Sequence, residues 1–190
     1  MKYYLDCEFN GFGGDLISLA IVRHDGPYMY LADERFLKLV EWSTRSAIRS
    51  PGIDQWVWDN VLPLMGAKGG ITPVWIPRSD FGSYLQSFFQ EDEDNHPLVI
   101  TDWPDDIKYF CECLITGPGE MINIPGIKFE MHRVDAYPTT LPGAIQHNAY
   151  CDAVALRQKL QVDPARMLDE MKDLPLSPAQ QAHVAKGYPL

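Results

Sequence analysis

The sequence predicts an α/β fold built on a mixed central sheet whose first three strands run antiparallel. Two observations lead there. Residues 2–9, 16–23 and 28–32 read as consecutive strands joined by short links. Helical and strand segments then alternate as far as a helix over residues 147–160. A chain that opens in strands and continues in that alternation forms a mixed sheet with helices packed on it. The 190 residues suit one sizeable domain, and 46% hydrophobic with 12% aromatic residues provide for a real core.

In order along the chain, residues 2–9 (KYYLDCEF) alternate in polarity and residues 16–23 (LISLAIVR) are almost continuously apolar. The link Asn10-Gly11-Phe12-Gly13-Gly14 suits a hairpin, and Asp25-Gly26-Pro27 turns the chain into the third strand. After a mixed stretch with helix-like content, residues 55–65 place Trp56, Val57, Asn60, Val61 and Leu64 on one helical stripe. Residues 80–90 form a second helix, with Ser79 or Asp80 as N-cap and apolar spacing at Phe81, Tyr84, Leu85 and Phe88. The acidic run 91–94 is a solvated loop. Residues 97–101 (PLVIT) are a buried strand, and Pro104 starts a helix to about residue 114. Residues 116–145 are irregular, with a strand at 128–134. After the helix at 147–160, Asp163-Pro164 and Ser177-Pro178 each start a further short helix.

Composition narrows the function. Sixteen Lys and Arg against 26 Asp and Glu leave a net charge of −10. That argues against gripping long duplexes by phosphate neutralisation, and it favours short or single-stranded substrates if nucleic acid is bound. The four cysteines show no disulfide framework, and Cys111-x-Cys113 alone is a poor zinc signal. No apolar run approaches a membrane span, and residues 1–6 lead directly into an acidic strand. A cytoplasmic protein with no membrane partner is expected.

Three acidic motifs carry the chemistry. Asp6-Cys7-Glu8 lies on a strand, where residues two apart share a face, so the two carboxylates project together. A solvated strand edge would explain them as well. Asp102-Trp103-Pro104-Asp105-Asp106 sits at a strand-to-helix junction, where carboxylates also serve as helix caps. His147 and Asp152 are about 140° apart on an ideal helix. They can meet in one cleft only if His147 lies on the turn leading into the helix. Each motif alone has an ordinary structural explanation; their joint occurrence in this order is what carries weight.

That order, a first-strand D-x-E, a central acidic junction and a late H-x-x-x-x-D, resembles the three motifs of the DEDDh group of 3′–5′ exonucleases over residues 1–160. A narrower likeness, to the bacterial adenylate-specific exoribonucleases and their phage-type relatives, comes from residues 3–9, Leu16-Ile17-Ser18-Leu19, Gln55-Trp56-Val57, Val61-Leu62-Pro63 and the Asp-Trp-Pro-x-Asp-Ile segment. The resemblance implies an RNase H-like fold with helices on both faces of the sheet, and an exonuclease domain over 1–160 followed by a helical extension over 161–190. It implies a hydrolase that releases 5′-mononucleotides from the 3′ end of single-stranded or 3′-overhang RNA. Two Mg²⁺ or Mn²⁺ ions per site would be held by Asp6, Glu8, Asp106 and Asp152, with Asp6 bridging. His147 would act as general base. Asp106, which precedes Ile107, fits the middle motif best, although the aromatic residue usual before it is absent; Asp102 and Asp105 are its rivals. Phe9, Phe12 and Trp103 are candidates for stacking a terminal base. DNA is an alternative substrate, and a homodimer is a possible assembly. A non-catalytic nucleic-acid-binding or structural protein is the contrasting reading, distinguished by indifference to EDTA.

Overall fold

Strand β1 (Lys2–Phe9) runs through the middle of a six-stranded sheet and is buried on both faces. The computed structural model describes residues 1–46, 48–65, 71–90, 96–132 and 145–161. β1 pairs antiparallel with β2 (Leu16–Arg23), and β2 pairs antiparallel with β3 (Tyr28–Asp33), as their short links require. The remaining neighbours are parallel: β4 (Val74–Ile76) beside β3, β5 (Leu98–Thr101) beside β1, and β8 (Lys128–Met131) beside β5. The sheet order is β4-β3-β2-β1-β5-β8. A separate two-stranded hairpin joins β6 (Ile115–Gly117) to β7 (Glu120–Met121).

Helices cover both faces. Tyr3, Leu5, Cys7, Leu19, Ile21 and Leu31 face a core completed by α3 (Phe81–Gln90) and α4 (Pro104–Leu114). On the opposite face, Ile17 and Ala32 pack with α1 (Leu37–Ser43) and α2 (Gln55–Asn60), while Ala20, Val22 and Tyr30 meet Ala149 and Ala153 of α5 (Ala149–Gln161). Alanines at 20, 32, 149 and 153 leave room for backbone to approach backbone. A register shift between Glu8 and Phe9 bulges β2 at Ile17.

Several expectations are corrected. The helix expected over 55–65 stops at Asn60, and Leu62–Leu64 form a 3-10 turn, because Pro63 has no N–H to continue the α-helical ladder. Ser79 and Asp80 lie inside a 3-10 turn (Arg78–Asp80) that runs into α3, with the Ser79 hydroxyl donating to Asp80. Tyr84 is exposed and Phe89 is buried, so the buried stripe of α3 is Phe81, Leu85, Phe88 and Phe89. The helix expected from residue 147 begins at Ala149. α1, β4 and the β6–β7 hairpin were not anticipated as elements. The acidic run 91–94, residues 133–134 of the last expected strand and the helices from Asp163 and Ser177 lie outside the described residues. The chain divides into two units, Met1–Lys159 and Leu160–Leu190. Among the described residues no helix is long and apolar enough to cross a membrane.

Candidate metal centre

Asp6 and Glu8 share one face of β1, the face that carries Ala20 and Tyr30 on the neighbouring strands, and each is only 8% exposed. β1 lies between β2 and β5, so these carboxylates are not a solvated strand edge. The parallel register Tyr4↔Ile100, continued two residues, sets Asp6 level with Asp102, the residue that follows β5. Asp106 is in the first turn of α4 and 1% exposed; its Oδ2 accepts a hydrogen bond from the Thr101 hydroxyl. Trp103 is the N-cap of α4 and no side chain caps it, so helix capping does not account for the acidic junction.

The third motif arrives from α5. His147 precedes the helix with φ 63°, a left-handed conformation unusual outside glycine, and its backbone N–H donates to Asp152 Oδ2 at 2.8 Å. This turn is pinned by the buried Asn148. Its Oδ1 accepts from the Cys151 N–H at the start of α5, and its Nδ2 donates to the Leu64 carbonyl. His147 and Asp152 therefore reach the same cleft, one from the turn and one from the first turn of helix.

The five carboxylates form two overlapping groups. One oxygen each from Asp6, Glu8 and Asp152 lie within 4.8 Å of one another, and the same holds for Asp6, Asp102 and Asp106. Asp6 belongs to both. Asp102 and Asp106, read from the sequence as alternatives, are thus both brought to Asp6. Asp105 turns away and accepts from Trp103 Nε1 at 2.9 Å.

This arrangement is costly without counter-charge. Burial pushes the Asp6 carboxyl well above the usual carboxylate range, and the charges of Asp106, Asp152, Glu8 and Asp102 push it further. Burial and then Asp152 and Asp106 do the same to Glu8. Asp106 is raised to about 8 by burial, against the opposing Thr101 hydrogen bond, and Asp152 to about 7 by burial, against the His147 N–H. Two divalent cations would relieve the repulsion and restore favourable contacts for the desolvated oxygens. An all-oxygen donor set fits hard cations such as Mg²⁺ or Mn²⁺, and neither group includes a cysteine or histidine.

The carboxylates floor a cleft of about 630 Å³. On one wall Phe9 stacks on Tyr109 at 4.9 Å, and Phe12, 82% exposed, stands 6.2 Å from Trp103. On the other, Trp56 meets the His147 ring edge-on at 4.7 Å and remains half exposed. Trp56 is held by Asp54, which caps α2 by accepting from the Trp56 and Val57 N–H groups. Asn10 ties the two walls together: its Oδ1 accepts from the Asp54 N–H and its Nδ2 donates to the Gly52 carbonyl. Phe9, Phe12 and Trp103 line the cleft as expected candidates; Trp56, Asp54, Asn10, Asn148 and Thr101 had not been singled out as site residues. Asn148 directly before a helical run was a readable N-cap signal. Burial lowers the His147 pKa below the ordinary histidine value, which favours the neutral imidazole. The chain matches no known family model and no curated protein.

Proposed function

We propose that this protein is a divalent-metal-dependent 3′–5′ exoribonuclease on an RNase H-like fold, releasing 5′-mononucleotides. The observation that carries the reading is the pair of buried carboxylate groups sharing Asp6 in a cleft that His147 also lines. Asp6, Glu8 and Asp152 would hold one ion, and Asp6, Asp102 and Asp106 the other. Two hard cations bound there supply charge neutralisation at the scissile phosphate and a lowered pKa for the attacking water. The His147 imidazole takes the proton as the water oxygen bonds to phosphorus and the P–O3′ bond breaks, the leaving 3′ oxygen taking a proton from solvent. The left-handed turn at His147 and its N–H bond to Asp152 hold base and ligand in fixed relation. The exposed faces of Phe12 and Trp56 are available to a nucleobase, a contact worth about 1–3 kcal/mol per stacked base. The preference for RNA rests on the resemblance of residues 3–9, 16–19, 55–57, 61–63 and 102–107 to adenylate-specific exoribonucleases.

The test is incubation of 3′-labelled and 5′-labelled RNA, and matched DNA, with the purified protein in Mn²⁺ or EDTA. Stepwise loss from the 3′ end of RNA, abolished by EDTA and reduced by about 10²–10⁴ in His147→Ala, is the expected result. Faster degradation of DNA would move the substrate, and binding that survives EDTA without cleavage would discard the enzyme.

A further inference from the structure

Behind Glu8 lie two buried hydroxyls that the mechanism above does not use. Glu8 pairs with Ser18 across β1 and β2, and Tyr30 pairs with Ala20, which pairs with Asp6. Directly paired residues project to the same side, so Asp6, Glu8, Ser18, Ala20 and Tyr30 occupy one face of the sheet. Tyr30 packs in one cluster with Ala20 and with Ala149 and Ala153 of α5. Tyr30 is 2% exposed and Ser18 fully buried, yet among the described residues neither Ser18 Oγ nor Tyr30 OH makes a hydrogen bond of normal geometry. Burial and then the Glu8 charge raise the pKa of the Tyr30 hydroxyl, while the neighbouring Ser18 hydroxyl acts to lower it. Buried hydroxyls without partners are rare, and here both lie on the sheet face that carries the Glu8 carboxylate.

We infer that Tyr30 and Ser18 are positioning residues for Glu8, forming a donor chain from the Tyr30 hydroxyl to Ser18 Oγ to the Glu8 carboxylate when a metal is bound. Outer-shell donors of this kind fix the orientation of a ligand oxygen, and their removal lowers metal affinity. The inference rests on the reading of the carboxylates as a metal centre.

The experiment is titration of the metal-free protein with Mn²⁺, followed by calorimetry and by the electron spin resonance of free Mn²⁺. It is run on wild type, Tyr30→Phe, Ser18→Ala and the double variant, with melting of each apo protein. Each single variant is expected to bind Mn²⁺ about tenfold more weakly. The double variant should be no weaker than the worse single, because the two hydroxyls act in series. The apo melting temperatures should be unchanged or higher, since neither hydroxyl has a partner to lose. A merely structural role predicts the reverse, lower apo melting with unaltered affinity. Wild-type affinity in both single variants, or fully additive losses in the double, would overturn the donor chain while leaving the metal centre standing. Failure of the wild type itself to bind Mn²⁺ would overturn both.

Discussion

Asp106 accepts a hydrogen bond from Thr101 and faces Asp6 and Asp102, whereas Asp105, one residue earlier, faces the Trp103 indole. Loss of an outer-shell partner at a metal site costs about 10–100-fold, so losing a carboxylate from the shell itself should cost at least the upper figure. Asp102→Asn and Asp106→Asn are each expected to reduce turnover at least about 100-fold. Asp105→Asn should stay near wild type, since an amide oxygen accepts the same bond from Trp103 Nε1; parallel assays of the three variants decide it. The raised pKa values make a second prediction. Asp106 and Asp152 hold protons in the metal-free fold up to about 8 and about 7, but release them near the usual carboxylate value when unfolded. The folded state therefore binds more protons across that interval, and stability falls as pH rises through it. Melting in EDTA should drop from pH 5 to pH 8, and the gain on adding Mn²⁺ should be larger at pH 8 than at pH 5. A flat or rising profile in EDTA contradicts this.

The elements that position the site depend on close approach as much as on hydrophobic pattern. A Cβ at Gly82 on α3 would stand 2.4 Å from the Cys113 carbonyl of α4 and 2.9 Å from Ile122 Cδ1. Gly82→Ala must push α3 away from the helix that carries Asp106, and is expected to destabilise the fold by about 1–3 kcal/mol, read by urea denaturation. This is also where the sequence was least legible. The first three strands could be read because alternation, apolar runs and two glycine-containing turns all agree. Val74–Ile76 could not: three residues between Pro73 and Pro77 become a strand only because β3 offers a parallel edge. Similarly, the stripe from Trp56 to Leu64 is a sound helical period, but Pro63 ends the ladder after Asn60. His147 was readable as a turn residue only by demanding that it meet Asp152; helical spacing by itself kept them apart.

At the level of the molecule, charge and site are linked. Six aspartates and glutamates are among the residues lining the cleft, with no lysine or arginine among the described residues there. The net charge of −10 gives no general attraction for a polyanion. If a single strand is bound through no more than about two phosphates, a slope of about −0.7 per contact limits the loss of affinity between 50 and 200 mM salt to roughly sevenfold. A weak salt dependence of KM at saturating Mn²⁺ is therefore expected, and a loss of three orders of magnitude would reveal a basic surface elsewhere on the chain. The order of the three acidic motifs was legible from the sequence because each lies near a recognisable strand or helix boundary. The convergence of four further carboxylates on Asp6 was not, because it depends on the register of β1 against β5 and on the approach of α5 to β1. Diffraction from a crystal soaked in Mn²⁺, recorded at a wavelength where manganese scatters anomalously, tests that convergence most directly. Two anomalous peaks that share Asp6, one beside Glu8 and Asp152 and one beside Asp102 and Asp106, are predicted; no peak within reach of Asp6 at saturating Mn²⁺ would contradict the account.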